Sequence, residues 1–234
     1  MNKVLKQLDH SQRQDNGSPE VATVLAPVRF ARHKWNGGPA GLAVPVTYTI
    51  PHYPVHLIDL VQMAGVTRVI IRPTLPQDAQ LQRDFFRALS AESRYNRFRT
   101  PLTELPEELA RRFSSIDYTS HIALPAEVFV GGRQTMIGEA RYIVDPCDPA
   151  TGEFAIAIAE VWRVRGLARI LLERLERQAA ASGIKRLVAD TLRANRTMIG
   201  LAAHAGYNVP ASRDDARLAR LENCLAPPAS PLPS

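Results

Sequence analysis

The pattern of apolar and polar positions changes period within one stretch, and the rest of the chain is organised around it. Glu153-Phe154-Ala155-Ile156-Ala157-Ile158-Ala159-Glu160 is an apolar run with β-branched residues, which suits a buried strand. The run breaks at Arg163–Gly166. From Leu167 the period becomes helical: Leu167, Leu171, Leu175 and Ala179 recur every four residues, with Ala168 and Leu172 beside them. Ser182-Gly183 ends it, glycine being well suited to a left-handed helix end. The stretch predicts a strand, a tight basic turn and a helix.

The same reading extends along the chain. Val21–Phe30 is expected to form a short strand broken by Pro27, and Val44–Ile50 an edge strand, given Pro45. Tyr53–Gln62 and Gly65–Pro73 predict a β-hairpin. Pro76-Gln77-Asp78 opens a helix through Leu89 with Leu81, Phe85 and Leu89 on one face, and Ser90–Phe98 adds a second helical turn. Glu104–Phe113 is a further helix, with Pro106 in its first turn. His121–Leu124, continuing through Glu127–Val130, and Thr135–Val144 are strands joined by Gly131-Gly132. Asp145–Gly152, rich in Asp, Pro and Gly, is expected to be a loop. Arg186–Leu192 is another core strand; Asn195 caps a helix running to Ala205, and Tyr207–Val209 and Arg217–Glu222 are final strands. Helices lie between runs of mostly antiparallel strands, so the class is α+β, a central mixed sheet flanked by helices. Residues 1–41 read as a flexible arm, 42–65 as a strand and hairpin lead-in, 66–225 as the folded domain, and 226–234 as a disordered tail.

Composition narrows the function. The 234 residues, 45% hydrophobic, suffice for one domain with a real core plus extensions. A formal charge of +6 and a pI near 9.7 suit an anionic ligand. The basic arm around His33-Lys34-Trp35 has no aromatic interleaving, so no nucleic acid is expected as a partner. Cys147 and Cys224 match no zinc spacing, and His52, His56, His121 and His204 show no ligand spacing, so no metal is expected. No apolar run is long enough to span a bilayer and Met1–Gln14 lacks a signal-peptide core. A cytoplasmic protein without a membrane partner is the expectation.

The basic turn has a chemical meaning. The first N–H groups of a helix lack intrahelical partners and carry the positive end of its dipole. Gly166 has no side chain to block a ligand and Ala168 almost none, while Arg163, Arg165 and Arg169 add positive charge. A phosphate or pyrophosphate site is predicted. No Gly-Lys-Ser/Thr follows, and the three glycines of a dinucleotide fingerprint are missing.

Arg163-Val164-Arg165-Gly166-Leu167-Ala168 resembles the Arg/Gln-x-x-Gly-x-Gly/Ala signature of the GNAT N-acetyltransferase superfamily. The resemblance implies the GNAT fold and acetyl-CoA as cosubstrate. It places the pyrophosphate on Arg163, Val164, Arg165, Gly166, Leu167, Ala168 and Arg169, with Ile158, Val161 and Asn195 as further cosubstrate contacts. A closer resemblance, over roughly residues 53–209, is to Pat-type protein lysine acetyltransferases. It rests on Tyr53-Pro54, Gly65–Pro73, Asp78, Phe86–Phe98, Asp117-Tyr118, Glu153-Phe154-Ala155 and Asn195–Ala202. That likeness implies a protein lysine as acceptor, with acyl-CoA synthetases as first candidates, and Glu153 as catalytic base.

Residue chemistry points the same way. A free lysine has a pKa near ~10.4, so acyl transfer to it needs a base, and a carboxylate beside an apolar strand suits that work. Glu153 shares its strand face with Ala155, Ala157 and Ala159, which leave room for a substrate chain. Glu160 and Glu139 are rivals. Many GNAT enzymes place a Tyr seven residues after the helix-capping Asn as general acid; here that position is Ala202. The loops around Arg94–Thr100 and Asp145–Gly152 are expected to border the acceptor, with Arg94, Arg97 and Arg99 making one edge basic. The alternatives are a small-amine acetyltransferase and a non-catalytic acyl-CoA-binding module.

Overall fold

The computed structural model describes residues 21–25, 47–51, 53–63, 68–163, 165–210 and 215–227. A seven-stranded sheet runs in the order β3 (Asp59–Gln62), β4 (Arg68–Ile71), β5 (His121–Val130), β6 (Arg133–Asp145), β7 (Asp148–Ile158), β8 (Arg186–Leu192) and β9 (Leu218–Cys224). Every neighbouring pair is antiparallel except β7 and β8. This is the mixed, mostly antiparallel α+β sheet that the hydrophobic pattern predicts. A separate antiparallel pair, β1 (Val21–Leu25) and β2 (Thr47–Pro51), carries the two N-terminal strands of the sequence reading. The remainder of the predicted arm and the tail beyond residue 227 lie outside the described residues.

Helices cover both faces of the large sheet. On one face lie α4 (Leu167–Ala181) and α5 (Arg196–His204). The stripe Leu167, Leu171, Leu175 and Ala179 packs with Ile122, Leu124, Phe154 and Leu187 in the largest buried cluster. Burying each of the leucines contributes about 1.5–3 kcal/mol, so the four-residue period by itself fixes which face of α4 meets the sheet. On the other face lie α1 (Ala79–Ala88), α2 (Ala91–Phe98) and α3 (Glu107–Ser114). There Phe86, Phe98, Leu105 and Phe113 meet Ile143, while Phe85 and Leu89 meet Met136 and Ala159.

Several boundaries differ from expectation. Asp145–Gly152 is not a loop: β6 runs to Asp145, β7 begins at Asp148, and only Pro146 and Cys147 turn the chain. Asp148 accepts from Thr151 Oγ1 (2.6 Å) and Arg186 Nη2 (3.0 Å), so its turn chemistry serves a strand end. A Cβ on Gly152 would lie 3.0 Å from Leu187 Cδ2, so this glycine marks close packing of β7 on its neighbour. The helix expected from Glu104 begins at Glu107, with Pro106 at its N-cap. In Tyr53–Gln62 only Asp59–Gln62 is extended, Val55–Leu57 forming a single 3-10 turn. His121–Val130 is one strand with an irregularity at Ala126/Glu127.

Between the sheet and α1–α3 lies a buried polar chain. Arg141 pairs with Glu139 and donates to His121 Nε2 (3.3 Å), and Gln82 Nε2 donates to Glu139 (2.7 Å). The Arg141 guanidinium sits 4.2 Å above the Phe113 ring. Burial, together with the cations Arg141 and Arg97, holds His121 well below the ordinary histidine value of 6.5. The folded protein therefore keeps His121 neutral while the unfolded chain protonates, and stability falls as pH drops below that value. The loss grows as the pH falls below 6.5 and the unfolded chain takes up the proton that the folded protein refuses. His121→Gln keeps an acceptor for Arg141 and cannot titrate. Urea unfolding at neutral pH and at about pH 5.5 should show a smaller loss in the variant; equal losses would place the titration elsewhere.

Candidate active site

The parallel pair β7 and β8 is joined over only three residue pairs, Thr151↔Arg186, Gly152↔Leu187 and Glu153↔Val188. Beyond Glu153 the strands part, although β7 continues to Ile158 and β8 to Leu192. A cleft of about 330 Å³ opens in the wedge, lined by Glu153–Ile158 on one wall and Ala189–Thr191 on the other. The strand edges facing it carry N–H and C=O groups that an extended, amide-bearing ligand can pair with.

The outer end of the cleft is the basic turn. Gly166, Leu167, Ala168 and Arg169 line it, and the first backbone hydrogen bond of α4 runs from Ile170 N to Gly166 O (3.1 Å). The preceding helical N–H groups are thus available to an anion. Gly166 is the N-cap with φ +82°, and a Cβ there would meet nothing within 4 Å. Packing does not require this glycine. The left-handed backbone and the open approach do.

The three arginines of the turn have different surroundings. Arg163 donates through Nη2 to Ser93 Oγ (2.6 Å) and lies 3.4 Å from Glu160. Arg165 lies 5.2 Å above the Trp162 ring, and Arg169 pairs with Glu173 at 2.7 Å. Of the expected cosubstrate contacts, Ile158, Arg163, Gly166, Leu167, Ala168, Arg169 and Asn195 share the cleft with Glu153. Val161 and Arg165 do not line it: Val161 is 74% exposed on the turn, and Arg165 is drawn to the indole face. Val164 lies outside the described residues.

Asn195 combines two jobs. Its Oδ1 accepts from Met198 N (3.2 Å) as the cap of α5, and its Nδ2 donates to Thr191 Oγ1 (3.2 Å) at the cleft wall. Ala202, where a general acid would stand in many relatives, is wholly buried in α5. Tyr207 packs beneath the helix end, its ring 5.3 Å from Phe154.

Glu153 sits at the apex of the wedge, 8% exposed and on the cleft surface. The two rival carboxylates are otherwise engaged. Burial opposes ionisation of Glu139, but Arg141 outweighs it and keeps the carboxyl below its ordinary range. Burial likewise opposes ionisation of Glu160, yet hydrogen bonds from Ser90 and Ser93 hold it down to about 2. Neither carboxylate is available to take a proton near neutral pH.

The fourth wall comes from α2, which presents Glu92, Ser93, Asn96 and Arg97. The expected acceptor border at Arg94–Thr100 is thus a helix and not a loop, and Glu92, Ser93 and Asn96 are cleft residues that the sequence reading did not name. The helical spacing of Ser93, Asn96 and Arg97, which shares one face, is the signal that carries it. Burial, with Arg141 nearby, pushes the Arg97 guanidinium down to about 10, while Glu139 and Glu153 pull it upward. The basic edge expected from Arg94, Arg97 and Arg99 is not an open patch. Arg94 lies 5.5 Å over the Phe86 ring and donates to Leu89 O, and Arg97 lies 5.2 Å over Phe98 and 5.9 Å over Phe113. Phenylalanine faces draw both guanidiniums inward. No residue of Asp145–Gly152 lines the cleft either, because that segment is a hairpin paired into the sheet. Among the described residues no group of His, Cys, Asp or Glu is placed to hold a metal ion, and no helix is long and apolar enough to cross a membrane.

The profile of the acetyltransferase (GNAT) family matches residues 84–207, a span that contains α2, the wedge, the basic turn and Asn195. The chain belongs to the GNAT acetyltransferase family. Acetyltransferase PA5475 of Pseudomonas aeruginosa is 29% identical over 147 residues, covering 63% of this chain and 78% of that protein. The GNAT domain of S. lividans PAT is 30% identical and superposes with a TM-score of 0.67, over 74% of this chain and 100% of that one. A GNAT-family acetyltransferase from Streptococcus pneumoniae, 22% identical with a TM-score of 0.53 over 68% of this chain and 99% of its own, shares the fold. The protein is thus an N-acetyltransferase of a family that uses acetyl-CoA or a related acyl-CoA.

The turn yields a test that needs no ligand. Gly166→Ala should lower stability by about 1–2 kcal/mol through backbone strain alone, and Gly166→Asn by less, since Asn tolerates the left-handed region. Urea midpoints measure both. An unchanged midpoint for Gly166→Ala would mean the turn is not held at positive φ.

Proposed function

We propose that this GNAT enzyme transfers the acetyl group of acetyl-CoA to the side-chain amine of a protein lysine, with Glu153 as general base. The observation that carries the reading is the placement of Glu153, a buried carboxylate at the closed end of a cleft whose outer end is a helix N-terminus. An extended acyl-CoA laid along the wedge, with its pyrophosphate at Gly166–Arg169, brings its thioester toward Glu153. Ile158 and Asn195 then border the pantetheine arm.

The chemistry follows from these positions. An acceptor ammonium entering past α2 gives a proton to Glu153, directly or through one water, and its lone pair attacks the thioester carbonyl. The tetrahedral intermediate collapses by breaking the C–S bond, and its nitrogen gives its second proton to water or to the departing sulfur, leaving a neutral amide and CoA. A thiol is acidic enough, with an ordinary pKa near ~8.5, for the thiolate to leave without a strong acid, which fits alanine at position 202. Arg97 beside the base disfavours a second positive charge there, and so favours release of the ammonium proton. The walls Ala155 and Ala157 leave room for an aliphatic chain.

The lysine acceptor is supported by the likeness to Pat-type enzymes. A small-amine acceptor draws support from Glu92 and Asp190, carboxylates that line the cleft and suit a cationic substrate. The expected targets are acyl-CoA synthetases. The purified enzyme with acetyl-CoA, assayed by mass spectrometry against such synthetases and a panel of free amines, separates the two readings. Acetylated lysine in the protein is the expected product; rapid acetylation of a free amine with no protein product would overturn the acceptor. In the same assay Glu153→Gln should cut turnover by about 10²–10⁴ while calorimetric CoA affinity barely moves. Near-normal turnover in that variant would remove Glu153 as the base.

A further inference from the structure

The basic turn and helix α2 are tied together by a compact set of polar contacts that the chemistry above does not use. Glu160 lies on the 3-10 turn that leads into the signature loop. Its Oε1 accepts from Ser90 N (3.0 Å) and from Ser93 Oγ (2.5 Å). Ser93 Oγ in turn accepts from Arg163 Nη2 (2.6 Å), and Ser90 Oγ lies 2.8 Å from it. Ser93 is buried and belongs to the face of α2 that lines the cleft, next to Asn96 and Arg97.

Two features set this cluster apart from an ordinary surface ion pair. Glu160 is held at about 2 by hydrogen bonds from α2 against its own burial, so the carboxylate is fixed as an anion. Arg163 meets the cluster through one terminal nitrogen, while a guanidinium carries five N–H donors in a rigid plane. The group lines the cleft beside the N-terminus of α4 and keeps donors for an oxyanion there.

We propose that Glu160 and Ser93 are positioning residues that hold Arg163 toward the anion-binding turn and thereby couple occupation of that turn to the placement of α2. The proposal rests on the acyl-CoA reading of the cleft. An anion on Arg163 pins the guanidinium, the guanidinium pins Ser93, and Ser93 carries the acceptor-side wall with Glu92, Asn96 and Arg97. Cosubstrate binding then organises the acceptor side before the acceptor arrives, which is positive coupling between two ligands through one shared element.

The test is amide hydrogen exchange of the full chain, read by mass spectrometry on peptides covering Ser90–Phe98, with and without saturating CoA. In the wild type CoA should slow exchange in α2 by about fivefold or more, the lower range for coupled sites. Arg163→Gln leaves the bonds from Ser90 N and Ser93 Oγ to Glu160 in place and removes the Arg163 contacts that link them to the turn. It should keep the ligand-free exchange of α2 unchanged and lose the CoA-induced slowing, with saturation verified by calorimetry. Ser93→Ala should lose the slowing too, with faster exchange already in the ligand-free protein. Unaltered CoA-induced slowing of α2 in Arg163→Gln would overturn the coupling. Failure of wild-type protein to bind CoA is a different result, and would overturn the cosubstrate reading beneath it.

Discussion

The constraint on which the site depends is the early end of one strand pairing. Parallel strands β7 and β8 share hydrogen bonds at three residue pairs and then separate. A fully zipped pair would bury the edges of Phe154–Ile158 and close the cleft that reaches Glu153 along β7. The separation is sustained from both sides. Phe154 and Ile158 are anchored in the core under α4, and β8 is held by seven pairs to β9 on its far side. Neither strand can swing across without giving up burial of about 1.5–3 kcal/mol per large apolar side chain. The cleft is therefore a product of the packing of its walls.

A second constraint is electrostatic. The space between the sheet and α1–α3 holds Glu139, Arg141, His121 and Arg97, in a region otherwise filled by phenylalanine rings. Buried charges of this kind persist where each has a partner of the opposite sign or a ring face. The pairing of Glu139 with Arg141 and of Glu160 with Ser90 and Ser93 commits two carboxylates to structure. Glu153 is the carboxylate that the fold brings to the cleft apex. The distinction among three glutamates close together in sequence is made by their neighbours, since their side chains are chemically the same.

Much of this was legible in the sequence because the signals are local. The four-residue period from Leu167 specifies the buried stripe of α4, and the run Phe154–Ile158 specifies a strand whose alternate residues face opposite layers. The break between them, at Gly166, specifies a left-handed turn at the start of α4, the place proposed for the pyrophosphate. Asn195 was readable as a cap from its position before an apolar helix, and the same position places it in the cleft. The misreadings share a cause. Asp145–Gly152 has the composition of a loop, yet Asp148 serves Thr151 and Arg186, and Gly152 serves the contact with Leu187, both set by residues far along the chain. The basic edge expected of Arg94 and Arg97 turns inward because the rings that receive them, Phe86 and Phe113, come from other helices. The tie between α2 and Glu160 leaves no local signal for the same reason, 67 residues separating Ser93 from its partner.

The central claim is that the wedge between β7 and β8 receives the acyl-CoA with its reacting end at Glu153. A crystal structure of the protein with CoA tests this most directly. The account predicts the pyrophosphate on the amides at Gly166–Arg169, the pantetheine arm between Phe154–Ile158 and Ala189–Thr191, and the sulfur facing the Glu153 carboxylate through at most one water. CoA bound outside the wedge, or entering it with the sulfur directed away from Glu153, would contradict the account.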